Sequence, residues 1–370
     1  MVRTYQICNR CIMDTSDEEI VFDENGNCNH CNNYFKLAPL YVHANDNWLQ
    51  ELKKLAEEIK RNQKNSDYDC IVGVSGGVDS TYVAYWAKKL DLRVLTVHLD
   101  NGWNSELAVK NIENIVTKLN FDYQTWVIDW EEFKDLQIAF LKASVANAEI
   151  PTDHSFLAAI YNYCDKYNIK YILNGSNFVT EGILPKSWGY NAKDVKHLKA
   201  IHKLFGKIKL KTYPLLGFYK EFYYTYVKGI KNVRILNYLP YNKAEAMEVI
   251  KNELGWQYYG GKHYESIFTR FFQAYILPKK FNIDKRKAHL STLICSGQIS
   301  RNEALEEMKK ETYPADMLKQ DREYVIKKLG LSEIEFENIM NEPVKSYKDY
   351  PNSEEFLKFV YKVYYKFRNR

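Results

Sequence analysis

With 370 residues, 46% of them hydrophobic and 15% aromatic, the chain has the material for packed cores and falls outside the disordered class. Its 52 basic and 47 acidic side chains leave a net charge of +5, too mild at this length to demand a nucleic-acid partner, and no apolar run approaches the ~20 residues of a membrane-spanning helix. Residues 1–6 carry no apolar core of a secretory signal, so a cytoplasmic protein of two or three domains, without a membrane partner, is expected.

Residues 1–45 read as a first unit. Four of the seven cysteines fall here, as Cys8-x-x-Cys11 and Cys28-x-x-Cys31, with 16 residues between the pairs. An odd cysteine count in a cytoplasmic chain argues against a disulfide framework, whereas two such pairs can each wrap one side of a tetrahedral ion. Four thiolates leave no open position, so a structural Zn²⁺ on Cys8, Cys11, Cys28 and Cys31 is expected, with His30 the one substitute ligand nearby. Asn25-Gly26, between Asp23 and Asn27, signals a tight hairpin. Cys70, Cys164 and Cys295 are isolated and read as small core residues.

A polar helix is expected over Asn47–Arg61, where Leu49, Leu52, Leu55, Ala56 and Ile59 recur at helical spacing; residues 62–67 form a linker. Strands over Tyr68–Val74, Arg93–Leu99, Tyr123–Ile128 and Lys170–Asn174 then alternate with helices over Ser80–Leu90, Asn104–Leu119, Glu131–Ala146 and Asp153–Tyr167. Alternation with short loops predicts a parallel sheet covered by helices, with ligands beyond the carboxyl ends of its strands. After about residue 240 the pattern turns mostly helical, with segments over Lys243–Leu254, Tyr264–Leu277, Lys285–Cys295, Arg301–Lys310, Arg322–Leu329 and Ser332–Asn341.

The densest chemistry lies in Ser75-Gly76-Gly77-Val78-Asp79-Ser80, between the first strand and its helix. Two glycines let backbone N–H groups converge, Ser75 and Ser80 add hydroxyls, and the helix N-terminus favours an anion, so the segment reads as a phosphate cradle. It has neither the Gly-Lys-Ser/Thr of a Walker A loop nor a G-x-G-x-x-G fingerprint. The bland alternative is an ordinary capped strand–turn–helix.

Ser75, Gly76, Gly77, Asp79 and Ser80 resemble, position by position, the loop of the PP-loop ATP pyrophosphatases, which cleave ATP between its α and β phosphates. That resemblance implies that the loop, with Val78, holds the departing pyrophosphate and that Asp79 helps to hold Mg²⁺. It also implies that Val97 and His98 serve the adenosine through backbone groups, and that Gly175 and Ser176 close the nucleotide pocket from the other side. Glu181 lies close enough in sequence to join the metal shell or the substrate, a solvated loop residue being the alternative.

Three further segments, Thr180–Tyr190, Gly255–Ser266 and Lys285–Ser291 with Ser296–Arg301, together with the N-terminal cysteines, look like the N-acetyl sugar amidotransferases of bacterial surface-polysaccharide (lipopolysaccharide O-antigen) and flagellin-glycan pathways. This second resemblance implies an α/β protein. A parallel-sheet PP-loop domain of the adenine nucleotide alpha hydrolase-like kind would span 46–240, a small zinc-binding unit 1–45, and a mostly helical acceptor-binding and partner-docking region 241–370. It implies transfer of AMP from ATP to the acetamido oxygen of an N-acetyl amino sugar, either a sugar nucleotide or a nonulosonic acid. Ammonia then displaces AMP and leaves an acetamidino sugar. Ser75, Asp79, Ser80 and Lys262 would be catalytic; Gly261, Lys262, His263 and Glu265 would form the acceptor site. Arg270, Arg286 and His289 are secondary candidates, for which the wet face of an amphipathic helix is the alternative. The chain shows no glutaminase nucleophile, with Val rather than Cys at position 2. The expected partners are therefore a separate glutaminase and an ammonia-conducting subunit resembling those of imidazole-glycerol-phosphate synthase. Two other readings stay open: a tRNA thiolase of the PP-loop family, which would need catalytic cysteines near ATP, and a non-catalytic nucleotide-binding protein.

Overall fold

Cys70–Gly73 (β1) is short, apolar and almost wholly buried, the pattern of an inner parallel strand. The computed structural model describes residues 4–189, 191–261 and 264–368. It places β1 at the centre of a sheet with Val94–Asp100 (β2), Asp122–Val127 (β3), Tyr171–Asn174 (β4) and Lys231–Arg234 (β5). The order is β3-β2-β1-β4-β5 and every pairing is parallel. The chain runs outward from β1 to β3, then returns to lay β4 against the other side of β1. The loops after β1 and β4 therefore part at a topological switch point, where α/β sheets open a crevice.

The helices of this half are Asn29–Tyr41 (α1), Trp48–Asn62 (α2), Val78–Lys89 (α3), Glu106–Leu119 (α4), Trp130–Lys142 (α5) and Ile150–Lys166 (α6). Leu52 of α2, Val83 and Ala84 of α3 and Ile112 of α4 bury one sheet face together with Cys70, Val72 and Val94. Ile160, Tyr161 and Cys164 of α6 cover the other, against Ile71, Leu95 and Val97. The parallel α/β architecture expected from the alternation is present, with the eight foreseen strands and helices displaced by a few residues at their ends. Two bounds moved further: the expected helix over Glu131–Ala146 stops at Lys142, and that over Tyr264–Leu277 starts at Ile267 and runs through a π-helical stretch to Phe281.

The edge strand β5 was not expected, because Lys231-Asn232-Val233-Arg234 holds a single apolar residue. It exists as backbone pairing to β4, which propensity does not register. Helices over Val195–Phe205 and Glu354–Arg368, and the first two turns of Ala315–Leu329, were also not expected. Among the described residues no helix is long and apolar enough to cross a membrane.

The third core joins the chain's two ends. Cys8, Cys11, Met13, Cys28, Cys31 and Tyr34 share it with Phe268, Phe271, Phe272, Cys295 and Phe336. Arg301 donates to the carbonyls of Cys11 and Cys8, both at 3.0 Å, and Lys287 meets Asp14 at 2.6 Å. Within the helical half, Arg270 grips Asp321 through two bonds of 2.5 and 2.7 Å, and Tyr313 also donates to that carboxylate.

Arg270 is 16% and Asp321 8% exposed at the side chain, so removing the guanidinium would strand a buried charge. Arg270→Ala should lower folding stability by about 3–5 kcal/mol, read from denaturant unfolding. A loss under ~1 kcal/mol would show that the pair is not holding these helices.

Candidate active site

Val74 leaves β1 by donating its N–H to Val97 O at 2.8 Å, and the chain then turns at Gly76 with φ of +80°. A Cβ at Gly76 would also stand 2.7 Å from Ala108 O, so only glycine fits this turn. The Trp256 indole N–H donates to Gly76 O at 2.8 Å and pins it from above. Gly77 caps α3. Ser75 Oγ accepts from the Gly77 N–H at 3.2 Å and lies 3.3 Å from Ser80 Oγ, which itself donates to Gly77 O at 3.2 Å. The two hydroxyls thus stand at the first turn of α3, where unpaired N–H groups and the helix dipole favour an anion.

The loop after β4 closes on this cradle. Gly175 approaches so tightly that a Cβ there would lie 2.9 Å from the Asp79 Cβ. Asp79 accepts from the Tyr241 hydroxyl at 2.6 Å and from Asn177 Nδ2 at 3.3 Å; the burial of Tyr241, and then the Asp79 charge, push that hydroxyl well above its ordinary range. Ser75, Asp79, Ser80, Gly175, Ser176 and Glu181 face one cavity of about 760 Å³. Phe156, Ile160 and Ile172 give it an apolar wall beside the loop, suited to a flat ring. His98 also reaches this wall. Its Nδ1 sits 2.9 Å from Val74 O and its Nε2 2.9 Å from Asn104 Nδ2. Burial lowers its pKa, so the neutral ring donates from Nδ1, accepts at Nε2 and braces the strand ends below the cradle.

Residues 256–261 and 264–266 return over the loop. Asn111 of α4 holds Gln257 through bonds to both its carbonyl (2.9 Å) and its N–H (2.8 Å). The Tyr259 hydroxyl and a Glu265 oxygen each come to 3.4 Å of the place a Gly77 Cβ would occupy. The far wall is polar. Glu149 accepts from Thr269 Oγ1 at 2.8 Å and Gln273 Nε2 at 3.2 Å. Asp153, one turn along α6, borders the same cavity. Glu149, on the same helix, and Lys285 face its carboxyl there.

The cavity therefore gathers Ser75, Gly77, Val78, Asp79, Ser80, His98, Gly175, Ser176, Glu181, Gly261 and Glu265, while Gly76 shapes the turn behind them without bordering it. Lys262 and His263 lie outside the described residues. Val97 does not border the cavity: its carbonyl is engaged by Val74 inside the sheet. Arg270 is held by Asp321, and Arg286 by Asp284 at 2.7 Å and the Lys310 carbonyl at 2.8 Å; neither borders the cavity, and nor does His289. Glu149, Asp153, Lys243 and Lys285 were missed. A signal existed for the lysines, because each occupies the first position of a helix, after Asn242 and Asp284, where the dipole disfavours a cation.

The paired cysteines form one cluster, with all four sulfurs within 4.8 Å of one another. Neighbouring sulfurs stand 3.8 Å (Cys8–Cys31), 3.7 Å (Cys11–Cys28) and 3.6 Å (Cys28–Cys31) apart. A tetrahedral ion with Zn–S bonds of ~2.3 Å needs sulfurs about 3.8 Å apart, so the residues fit zinc. Backbone N–H groups of Cys11 and Cys28 point at Cys8 Sγ, at 3.4 and 3.2 Å, and that of Met13 at Cys11 Sγ, at 3.4 Å, which favours thiolates. His30 is held by Asp17 at 2.6 Å rather than turned to the sulfurs. Cys295 Sγ stands 3.7 Å from Cys31 Sγ, against the cluster, while Cys70 of β1 and Cys164 of α6 are buried in the cores on the two faces of the sheet.

Two family models match. Residues 49–168 match NAD synthase, and residues 265–366 match the C-terminal domain described as "LPS biosynthesis protein WbpG-like". No curated protein gives a significant match. Among solved structures, NMN synthetase from Francisella tularensis is similar at 15% identity over 61% of this chain and 91% of that one, with a TM-score of 0.30. The NH3-dependent NAD synthetase from Campylobacter jejuni, in complex with nitrate, is similar at 16% identity over 77% and 97%, with a TM-score of 0.31. At such TM-scores these overlaps carry no argument; the fold rests on the sheet order and the loop geometry.

The freshly purified protein should carry one zinc per chain. Cys28→Ser or prolonged chelation should remove it and lower the thermal midpoint, since structural zinc contributes folding energy directly. Elemental analysis that finds iron, or no metal, would sink this. At the cradle, Asp79→Ala and Ser80→Ala should abolish pyrophosphate release from ATP while circular dichroism stays unchanged. Near-normal release in both variants would remove the phosphate assignment.

Proposed function

We propose that this chain, a PP-loop ATP pyrophosphatase-type protein with a WbpG-like C-terminal segment, is an ATP-dependent amidotransferase that converts the acetamido group of an N-acetyl amino sugar into an acetamidino group. The observation that carries the reading is the shared cavity. An anion cradle and an apolar slot stand on one side and a wall of hydrogen-bonding groups on the other, so a nucleotide and a second molecule can meet. Its volume, about 760 Å³, lies within the ~300–1,000 Å³ of small-molecule sites.

An amide carbonyl is a poor electrophile and its oxygen a poor leaving group. Transfer of AMP to that oxygen removes both obstacles, and ammonia then adds to the carbon. On this reading Ser75, Ser80 and the N–H groups opening α3 hold the pyrophosphate as it leaves, and Lys243 and Lys285 add positive charge along the cavity. Asp79 and Glu181 are hard oxygen donors beside the cradle and would hold Mg²⁺, which neutralises phosphate charge when bound. Gly261 and Glu265 border the acceptor end. Closure by residues 256–261 and 264–266 keeps water from the activated intermediate.

All seven cysteines are buried, and among the described residues none borders the cavity. This speaks against a thiolase, which needs sulfur chemistry beside ATP. It also leaves Cys295, packed on Cys31, poorly placed as a hidden glutaminase nucleophile. The nitrogen would come from a separate glutaminase through an ammonia-conducting subunit.

The purified chain should amidinate an acetamido sugar with ATP, Mg²⁺ and ammonium at alkaline pH, lowering the sugar's mass by a single unit as oxygen is replaced by NH. It should fail with glutamine alone, and the rate with ammonium should rise with pH as free ammonia accumulates. AMP formation that no acetamido sugar stimulates would overturn the reading. Glutamine-dependent turnover by the lone chain would overturn the partners.

A further inference from the structure

We propose that Cys31 and Cys295 form a modification site, a thiol pair that hydroperoxides oxidise to a disulfide with loss of the zinc held by the cysteine cluster. The proposal rests on the zinc site and is independent of the amidotransferase reading.

Cys295 stands outside the ligand set. The sulfurs of Cys8, Cys11, Cys28 and Cys31 lie within 4.8 Å of one another, and four thiolates complete a tetrahedral ion. Cys295 Sγ comes to 3.7 Å of Cys31 Sγ, as close as Cys11 and Cys28 stand to each other. The pair is drawn from the two ends of the chain, Cys31 from the first turn of α1 and Cys295 from the end of the helix Lys285–Cys295, and one core encloses both. Cys295 keeps 9% of its surface exposed, whereas the four cluster cysteines keep none. An oxidant dissolved in water therefore meets this fifth sulfur first. In the resting state the Cys295 thiol donates to Cys31 Sγ, a contact that a hydroxyl could make as well. A sulfur is required there only if a bond is to form.

A bond between two ligands would break two Zn–S bonds, whereas Cys295 gives up none. Closing 3.7 Å to the ~2.05 Å of a disulfide is a movement within reach of side-chain rotation.

The atoms and electrons balance as follows. The Cys295 sulfur attacks one oxygen of the hydroperoxide and the O–O bond breaks. The thiol proton passes to the departing oxygen, which leaves as an alcohol, or as water from hydrogen peroxide, and Cys295 becomes a sulfenic acid. Cys31, as a thiolate, then attacks the Cys295 sulfur and forms the S–S bond. Hydroxide departs with the S–O electrons and takes a proton from solvent. The two sulfurs together lose two electrons and the peroxide gains them. Three thiolates remain for the ion, too few to close its shell.

The consequence reaches the cavity through the same helix. Gln298, just beyond its end, accepts the Lys243 N–H at 3.1 Å and donates to Tyr241 O at 3.2 Å, and the Tyr241 hydroxyl holds Asp79. Pyrophosphate release from ATP should fall as the zinc is lost.

The test uses full-length zinc-loaded protein, hydrogen peroxide, a chromogenic zinc chelator and mass spectrometry of alkylated, unreduced fragments. Zinc should appear as two thiols per chain disappear, with the disulfide joining the fragments that carry Cys31 and Cys295. A dithiol reductant with added zinc should reverse both. Cys295→Ser keeps all four ligands and a hydroxyl for the contact with Cys31. It should bind zinc as the wild type does, and peroxide should release that zinc about tenfold more slowly. Release from Cys295→Ser at the wild-type rate, or a first disulfide joining Cys28 to Cys31 or Cys8 to Cys11, overturns the proposal. So does a wild type that keeps its zinc and its thiols under peroxide. Should Cys295→Ser fail to bind zinc, the disulfide mapped in the wild type decides alone. Protein without zinc before oxidation overturns the zinc site and this proposal together. Release through the Cys31–Cys295 disulfide from a protein that amidinates no acetamido sugar supports the proposal and removes the amidotransferase reading.

Discussion

The close approach of Gly175 to Asp79 and Ser80 is the constraint on which the site depends. It brings the loop after β4 against the first turn of α3, 2.9 Å from an Asp79 carbon if a Cβ were present. Without that approach Asn177 could not reach Asp79, and the two halves of the switch point would stand apart. The sheet order makes the crevice, but this contact and the Trp256 bond to Gly76 turn it into a cradle of defined shape. Both contacts need glycine: Gly76 for its backbone angle and Gly175 for space.

The cysteine cluster and the cavity are mechanically joined. Ile12 N–H donates to Ser291 Oγ at 3.2 Å, Lys287 meets Asp14, and Arg301 holds two carbonyls of the cysteine loop. Ser291 and Lys287 lie on the helix whose first residue, Lys285, borders the cavity. Thr292 of that helix accepts the Ile183 N–H at 3.1 Å, two residues beyond Glu181. A structural ion far from any chemistry would thus set the position of one cation and one carboxylate in the site. The N-terminal unit buries its cysteines in a core shared with the helical half, which supplies the apolar surface that so short a segment lacks by itself.

The far wall shows why a polar cavity resists prediction from sequence. Glu149, Asp153, Thr269 and Lys285 come from two helices of the C-terminal half and one of the sheet domain, more than a hundred residues apart. Each looks locally like a solvated helix residue. Only the tertiary fold brings them around one void. The same reasoning removed Arg270 and Arg286 from the cavity: on a helix they read as free cations, but a carboxylate close by in space or in sequence engages each.

What the sequence determined by itself were the features carried by contiguous residues. A strand running into Ser75–Ser80 can make only a small set of turns, and its glycines and hydroxyls announce an anion. Two Cys-x-x-Cys pairs can close on one ion whatever lies between them, and alternating apolar strands and helices permit little except a parallel sheet. Tertiary structure decided the rest. It added β5, whose four residues pair through backbone and so leave no apolar pattern. It made the His98 side chain a brace between Val74 O and Asn104, and it set Cys295 on the cysteine cluster. It also chose which charges face the cavity and which are spent on one another, because ion pairing and burial depend on neighbours in space, which no spacing along the chain encodes.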